Sequence, residues 1–288
     1  MNSENPPNPP EPKPAVLTAS GMMIVPYGEY SFTELKAHYA EKIEENPSAE
    51  LFLFKGMTLL SDLRAALIEC KKRGKAAAAL LSVGSDLMTE ASLPADAALI
   101  TLQSMGLAAF GIFSDSEDTL ADAVERLAPL ASVPLFFRTP NETLGEEVLR
   151  ATRKAGLLPF GKNAFQPPKE RETALLLANE RQAFFLESDT TEISEPIPCN
   201  DGMETELFAA SQESFDVLKI EIDTPDDAVA FAENAAMALL PVMFGSGNDT
   251  ALMLALMLYQ GRALVDRTCG LSEAAFEKAV RKYGAVLY

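Results

Sequence analysis

The chain alternates short apolar strands with amphipathic helices, and this rhythm limits it to few architectures. Val16–Ala19, Leu51–Phe54, Ala77–Val83, Leu107–Phe113, Val133–Phe137 and Leu157–Phe160 are strand-like runs. Between them lie segments whose apolar residues recur at helical spacing, such as Leu35, Tyr39 and Ile43, or Leu60, Leu63, Leu67 and Cys70. Six β/α steps in about 145 residues predict a parallel sheet whose strands are linked by crossover helices. Local signals sharpen the boundaries. Ser31 and Glu34 are spaced as a capping box, Pro94 is expected in the first turn of a helix, and Gly284 is placed to cap the last one.

The rhythm is interrupted once. Ala174–Ala178 and Gln182–Leu186 flank Asn179-Glu180-Arg181 and predict a hairpin, and an acidic, Pro-punctuated stretch follows from Glu187 to Asp201. β/α alternation then resumes, with strands expected at 217–222, 240–244 and 263–265 and at the end of the chain. Helices are expected at 226–237, 250–258 and 272–282, the last with a buried stripe of Phe276, Val280 and Tyr283. Residues 1–14 contain six prolines and read as a disordered tail. The expected division is therefore a tail (1–14), a first β/α segment (15–170), a hairpin and acidic junction (171–205) and a second β/α segment (206–288).

Charge excludes some partners. The net charge of −18 repels nucleic acid and anionic membranes, which require clustered Lys and Arg. The longest apolar run, Ala251 to Tyr259, falls well short of a bilayer span. No secretory leader is recognisable. Cys70, Cys199 and Cys269 stand far apart, an odd and sparse set that points to free thiols and a cytoplasmic location. With His38 the sole histidine, proton-transfer chemistry near neutral pH has few carriers.

From Leu17 to Asn163 the order of short motifs resembles the homocysteine-binding barrel of the methionine-synthase and homocysteine S-methyltransferase family. The stretches are Thr18-Ala19-Ser20-Gly21, Pro26-Tyr27-Gly28, Phe32-Thr33-Glu34-Leu35, Met57-Thr58, Arg64-Ala65-Ala66-Leu67, Leu102-Gln103-Ser104-Met105-Gly106 and Ser132-Val133-Pro134-Leu135. Residues 216–288 are similar to the opening of the pterin-binding barrel in the same enzymes, through Asp216-Val217-Leu218, Leu240-Pro241-Val242, Gly261-Arg262-Ala263-Leu264-Val265 and Lys282-Tyr283-Gly284-Ala285. The resemblance implies an α/β protein of the TIM-like (β/α) barrel type, incomplete or rearranged: the family's first barrel starts earlier, and the second here reaches only about four strands of eight. Two arrangements are open. Strands of both segments form one barrel, or two partial sheets pack together or complete each other across a dimer. An open sheet edge would call for a homo-oligomer or a partner protein.

The resemblance also implies a chemistry whose residues are missing. The family's three zinc thiolates correspond here to Ser114, in Gly111-Ile112-Phe113-Ser114, and to Lys162 and Asn163, in Phe160-Gly161-Lys162-Asn163. Oxygen and ammonium groups do not replace soft thiolates. The acid that meets the substrate ammonium corresponds to Lys55, a reversed charge. The pterin-contacting positions correspond to Lys219, Glu221, Gly245 and Asp266, and no corrinoid signature is present. Zinc, methylcobalamin and folate sites are therefore not recognisable. The favoured expectation is a non-catalytic binding or regulatory homologue linked to one-carbon metabolism. The alternatives are a zinc-independent methyltransferase acting on another acceptor, or a binder of a small anionic metabolite at Lys55 and Lys162. Gly245-Ser246-Gly247-Asn248-Asp249 reads as a plain strand–helix turn rather than a phosphate cradle. Asp62 with Arg64, and Asp122 with Arg126, read as solvated helix faces.

Overall fold

A computed structural model describes residues 14–168, 175–187 and 190–288. The expected tail, residues 1–14, lies outside the described residues apart from Pro14. In the first segment, β1 (Ala15–Leu17), β2 (Leu51–Lys55), β3 (Ala76–Ser82), β4 (Ala109–Phe113) and β5 (Leu135–Arg138) pair in parallel, each with the next. Helices α1 (Phe32–Glu44), α2 (Leu60–Lys72), α3 (Ala95–Ser104) and α4 (Glu117–Leu127) connect them, and α5 (Glu146–Lys154) follows. Right-handed crossovers between strands laid down in sequence order place all these helices on one face. Phe52 and Phe54 on β2 are fully buried, Leu53 between them is half-buried, and Leu51 and Lys55 on either side are exposed.

The sixth step departs from expectation. β6 (Leu158–Gly161) and β7 (Ala164–Gln166) form an antiparallel hairpin, and β7 pairs antiparallel with β5. The two-residue turn Lys162-Asn163 explains this. Asn163 sits at φ 57°, the left-handed region that tight hairpins require and that Asn tolerates.

The second segment comprises β8 (Leu175–Asn179), β9 (Ala183–Leu186), β10 (Ile197–Pro198), α6 (Met203–Ala210), β11 (Leu218–Glu221), α7 (Pro225–Asn234), β12 (Val242–Gly245), α8 (Asp249–Leu258), β13 (Gly261–Arg262), β14 (Leu264–Val265), α9 (Glu273–Tyr283) and β15 (Val286–Leu287). A short 3-10 turn, Ala235–Met237, extends α7. The parallel order is β10-β11-β12-β14-β15. β8 and β9 form the expected hairpin, and β13 joins β8 antiparallel. Leu177 of this hairpin packs with Val217, Met243 and Leu264 in a small second core. Among the described residues no strand ladder joins the seven-stranded sheet of the first segment to the five-stranded sheet of the second.

The segments meet through one continuous hydrophobic core. Arg64 on α2 is fully buried and donates to the carbonyls of Leu256 (2.8 Å) and Met257 (3.2 Å) near the end of α8. Its guanidinium lies over the Phe32 ring, 5.6 Å from the centroid. α3 packs against β8 and β13. Gly284, at φ 70°, ends α9 in the left-handed cap expected of it, and a Cβ there would lie 2.1 Å from Ser104 Oγ. Only glycine satisfies both the cap and the close approach.

Several side chains are corrected by this packing. Asp62 is buried rather than solvated, accepting the hydroxyls of Tyr39 (2.6 Å) and Ser20 (2.7 Å). Arg126 pairs with buried Asp96 (2.6 Å) and not with Asp122. Val280 is exposed, and Ala279 takes its place between Phe276 and Tyr283. Pro94 stands one position ahead of its helix, as the N-cap. The capping box at Ser31 and Glu34 is present. No helix among the described residues is long and apolar enough to cross a membrane.

Candidate functional site

Parallel α/β sheets present their polar groups where strands end and loops begin. At the C-terminal edge of the second sheet, Lys219 and Glu221 project from β11, Gly245 ends β12 and Asp266 follows β14. The ladder sets Glu221 beside Gly245 and Phe244 beside Val265, so these four sequence positions lie together. Lys219 Nζ meets Asp266 Oδ2 at 2.7 Å. Asp266 Oδ1 accepts the Thr268 hydroxyl (2.6 Å) and backbone N–H (2.8 Å). A Cβ on Gly245 would stand 3.1 Å from Glu221 Oε2 and 3.2 Å from Lys219 Cε, so glycine leaves just enough room for the two side chains.

Electrostatics follow from this geometry. The bond to Asp266 raises the Lys219 ammonium above its ordinary value. Burial works against Asp266, but its bonds from Lys219 and Thr268 hold the carboxyl below the usual range. Two thiols border the cluster. Cys269 Sγ donates to the Asp266 carbonyl (2.6 Å) and Cys199 Sγ to the Glu221 carbonyl (3.4 Å). Burial, reinforced by Asp227, Asp223 and Glu221, pushes the Cys199 thiol up to about 12, and burial also raises Cys269. A thiol acts as a nucleophile or metal ligand more readily when its pKa is lowered, and the shift at both is in the opposite sense.

The first segment does not gather its positions in this way. Ser114 is buried, its N–H bonded to the Arg138 carbonyl (3.2 Å) and its Oγ accepting from Ser116 N–H (3.3 Å). Lys162 pairs with Glu142 at 3.1 Å, and Asn163 donates to the Glu142 carbonyl at 2.9 Å. Lys55 stands at the end of β2, three ladder steps of about 4.8 Å each from the strand beside this turn. The donor set at Ser114, Lys162 and Asn163 is one hydroxyl, one ammonium and one amide. It does not fit a zinc ion held by thiolates. His38 is half-buried, edge-on to Tyr39.

The turn after β12 also satisfies itself. Asn248 caps α8 by accepting from the N–H groups of Thr250 (3.0 Å) and Ala251 (3.3 Å), so these amides are not free for an anion. Compared with protein-family models and with curated proteins, the chain matches none.

Sequence reasoning overlooked a cleft of about 650 Å³ between the two segments. Its walls come from the loop after β1, the start of α2, α7 and the β8–β9 turn. No single motif marks it, because its residues come from three separated stretches, 23–93, 179–181 and 229–260.

Proposed function

We propose that this chain is a non-catalytic relative of the homocysteine methyltransferases, built from two part-barrels, that acts by binding and not by methyl transfer. The carrying observation is the Lys219–Asp266 pair at 2.7 Å. In a working site such groups would be held ready for a substrate; here the ammonium and the carboxylate neutralise each other, with Thr268 completing the carboxylate's bonds. Strand order supports the part-barrel reading. The parallel strands β1 to β5 and β10, β11, β12, β14 and β15 run in sequence order, as barrel strands do, whereas doubly wound sheets reverse direction at a switch point. The exposed edge strand β6, with Leu158 and Phe160 largely open to solvent, supports a partner protein or second copy as the cover for the open sheet. A small anionic metabolite is the less favoured ligand, because Lys162 already holds Glu142.

Methyl transfer is the deciding assay. The full chain is incubated with methyltetrahydrofolate and homocysteine, with and without zinc, and methionine is measured. The expected rate equals the protein-free control. Methionine formed above that control in proportion to the amount of protein would overturn the reading.

A further inference from the structure

The cleft between the segments combines apolar walls with acceptors that lack donors. Met23, Leu59, Leu93, Val229 and Leu258 contribute much of the wall, and Glu180 and Gln260 line it. Asn179 pairs with Gly261 at the end of the β8–β13 ladder, and Glu180 and Gln260 are the next residues of the two chain segments. Gln260 Nε2 donates to the Leu258 carbonyl at 2.7 Å, but its Oε1 is buried with no hydrogen-bond partner. An orphaned buried acceptor is unfavourable, and this one marks the cleft's edge as a place where the protein's own bonding is incomplete.

Glu180 is in a similar position. Its carboxylate accepts one hydroxyl, from Tyr27 at 3.3 Å. The neighbouring Arg181 forms no ion pair with it; the guanidinium donates to the Ala236 carbonyl (2.9 Å) and to the Tyr27 oxygen (3.4 Å). Burial raises the Glu180 carboxyl, with Tyr27 and Arg181 acting in the opposite sense. Glu233 adds a second acid to the lining, against the one cation Arg181.

We propose that this cleft is a binding site for a small organic cation, an apolar or aromatic body carrying an ammonium group that the Glu180 carboxylate receives. At about 650 Å³ the cleft lies in the middle of the usual pocket range of about 300–1,000 Å³ and holds a compact ligand with room to spare. Charge complementarity selects the cation: the chain carries −18 overall, and both lining carboxylates favour a positive guest. An anion would meet Glu180 and Glu233 in an apolar surround and be repelled.

The test uses three probes of one shape and different charge: 2-phenylethylamine, 2-phenylethanol and 3-phenylpropanoate. Binding to the full chain is followed by saturation-transfer NMR and titration calorimetry. The amine is expected to bind with millimolar or better affinity, the alcohol about tenfold more weakly and the carboxylate not detectably. Glu180→Gln should weaken the amine about tenfold or more and leave the alcohol unchanged. Ala232→Trp, which fills the cleft from α7, should abolish binding of both while the melting temperature confirms folding. Equal binding of amine and carboxylate, an amine affinity unchanged by Glu180→Gln, or no amine binding up to ~10 mM would overturn the proposal. None of these outcomes depends on the methyl-transfer assay, so the two readings fail separately.

Discussion

At the end of β11 a lysine and an aspartate meet at 2.7 Å, and the aspartate's other oxygen is held by Thr268. In the cleft between the segments, Glu180 receives one hydroxyl at 3.3 Å and Gln260 Oε1 receives none. Both regions hold partly buried polar atoms of the same kinds. In the first the lysine and the aspartate satisfy each other, so the charges serve to fix strand ends and a loop. In the second the protein gives the Glu180 carboxylate a single hydroxyl, and its remaining bonding capacity is available to a guest. Residues matched to a family's chemistry need not be where a chain now binds anything; satisfaction of the polar atoms is the better guide.

The largest expected effect concerns the seam that creates the cleft. Arg64→Ala removes a fully buried side chain and orphans the carbonyls of Leu256 and Met257. Its expected cost is about 3 kcal/mol or more in urea unfolding. A loss below about 1 kcal/mol would show that the seam does not depend on this clamp.

A smaller effect is expected at the paired cluster. Lys219→Met leaves the Asp266 carboxylate without its cation and should cost about 1–2 kcal/mol at neutral pH. The sign with pH follows from the two shifts. Asp266 titrates below its ordinary 3.8, so its contribution is present above that value and fades as pH falls through the folded pKa. Lys219 titrates above 10.5, so its contribution is present below that value and fades only as pH rises further. The stability difference between the native chain and the variant should therefore hold from about pH 5 to 9 and shrink below about pH 4. A difference that grows on acidification would refute the pairing.

Gly245→Ala should have the smallest effect. The new methyl group meets the flexible ends of Glu221 and Lys219 at 3.1 and 3.2 Å, which can yield by a few tenths of an ångström. The melting temperature is expected to change by no more than about 0.5 kcal/mol would produce. A large loss would mean that the cluster is held more rigidly than the pairing alone requires.

Much of the backbone was legible because its signals are local. The capping box at Ser31 and Glu34, the Gly284 cap and the hairpin around residues 179–181 rest on contacts within a few residues. α6 and β10 were not legible: they lie within or just after an acidic, Pro-rich run whose composition matches loop, and tertiary contacts hold them. The grouping of Lys219, Glu221, Gly245 and Asp266 followed from their places at successive strand ends. The scatter of Lys55 and Lys162 did not, because the sixth strand turned back as a hairpin.

The sequence by itself determined the β/α alternation, the helix caps and the negative charge, since periodicity, capping and composition act over short range or over the whole chain at once. Tertiary structure alone decided which polar groups are buried and with whom. Asp62 and Arg64 look like an ordinary charged helix face, yet one accepts from Tyr39 and the other clamps carbonyls 192 and 193 residues away. Burial depends on which elements meet, so the cost of leaving Gln260 Oε1 with no donor and Glu180 with only one exists only once β8 and β13 have come together.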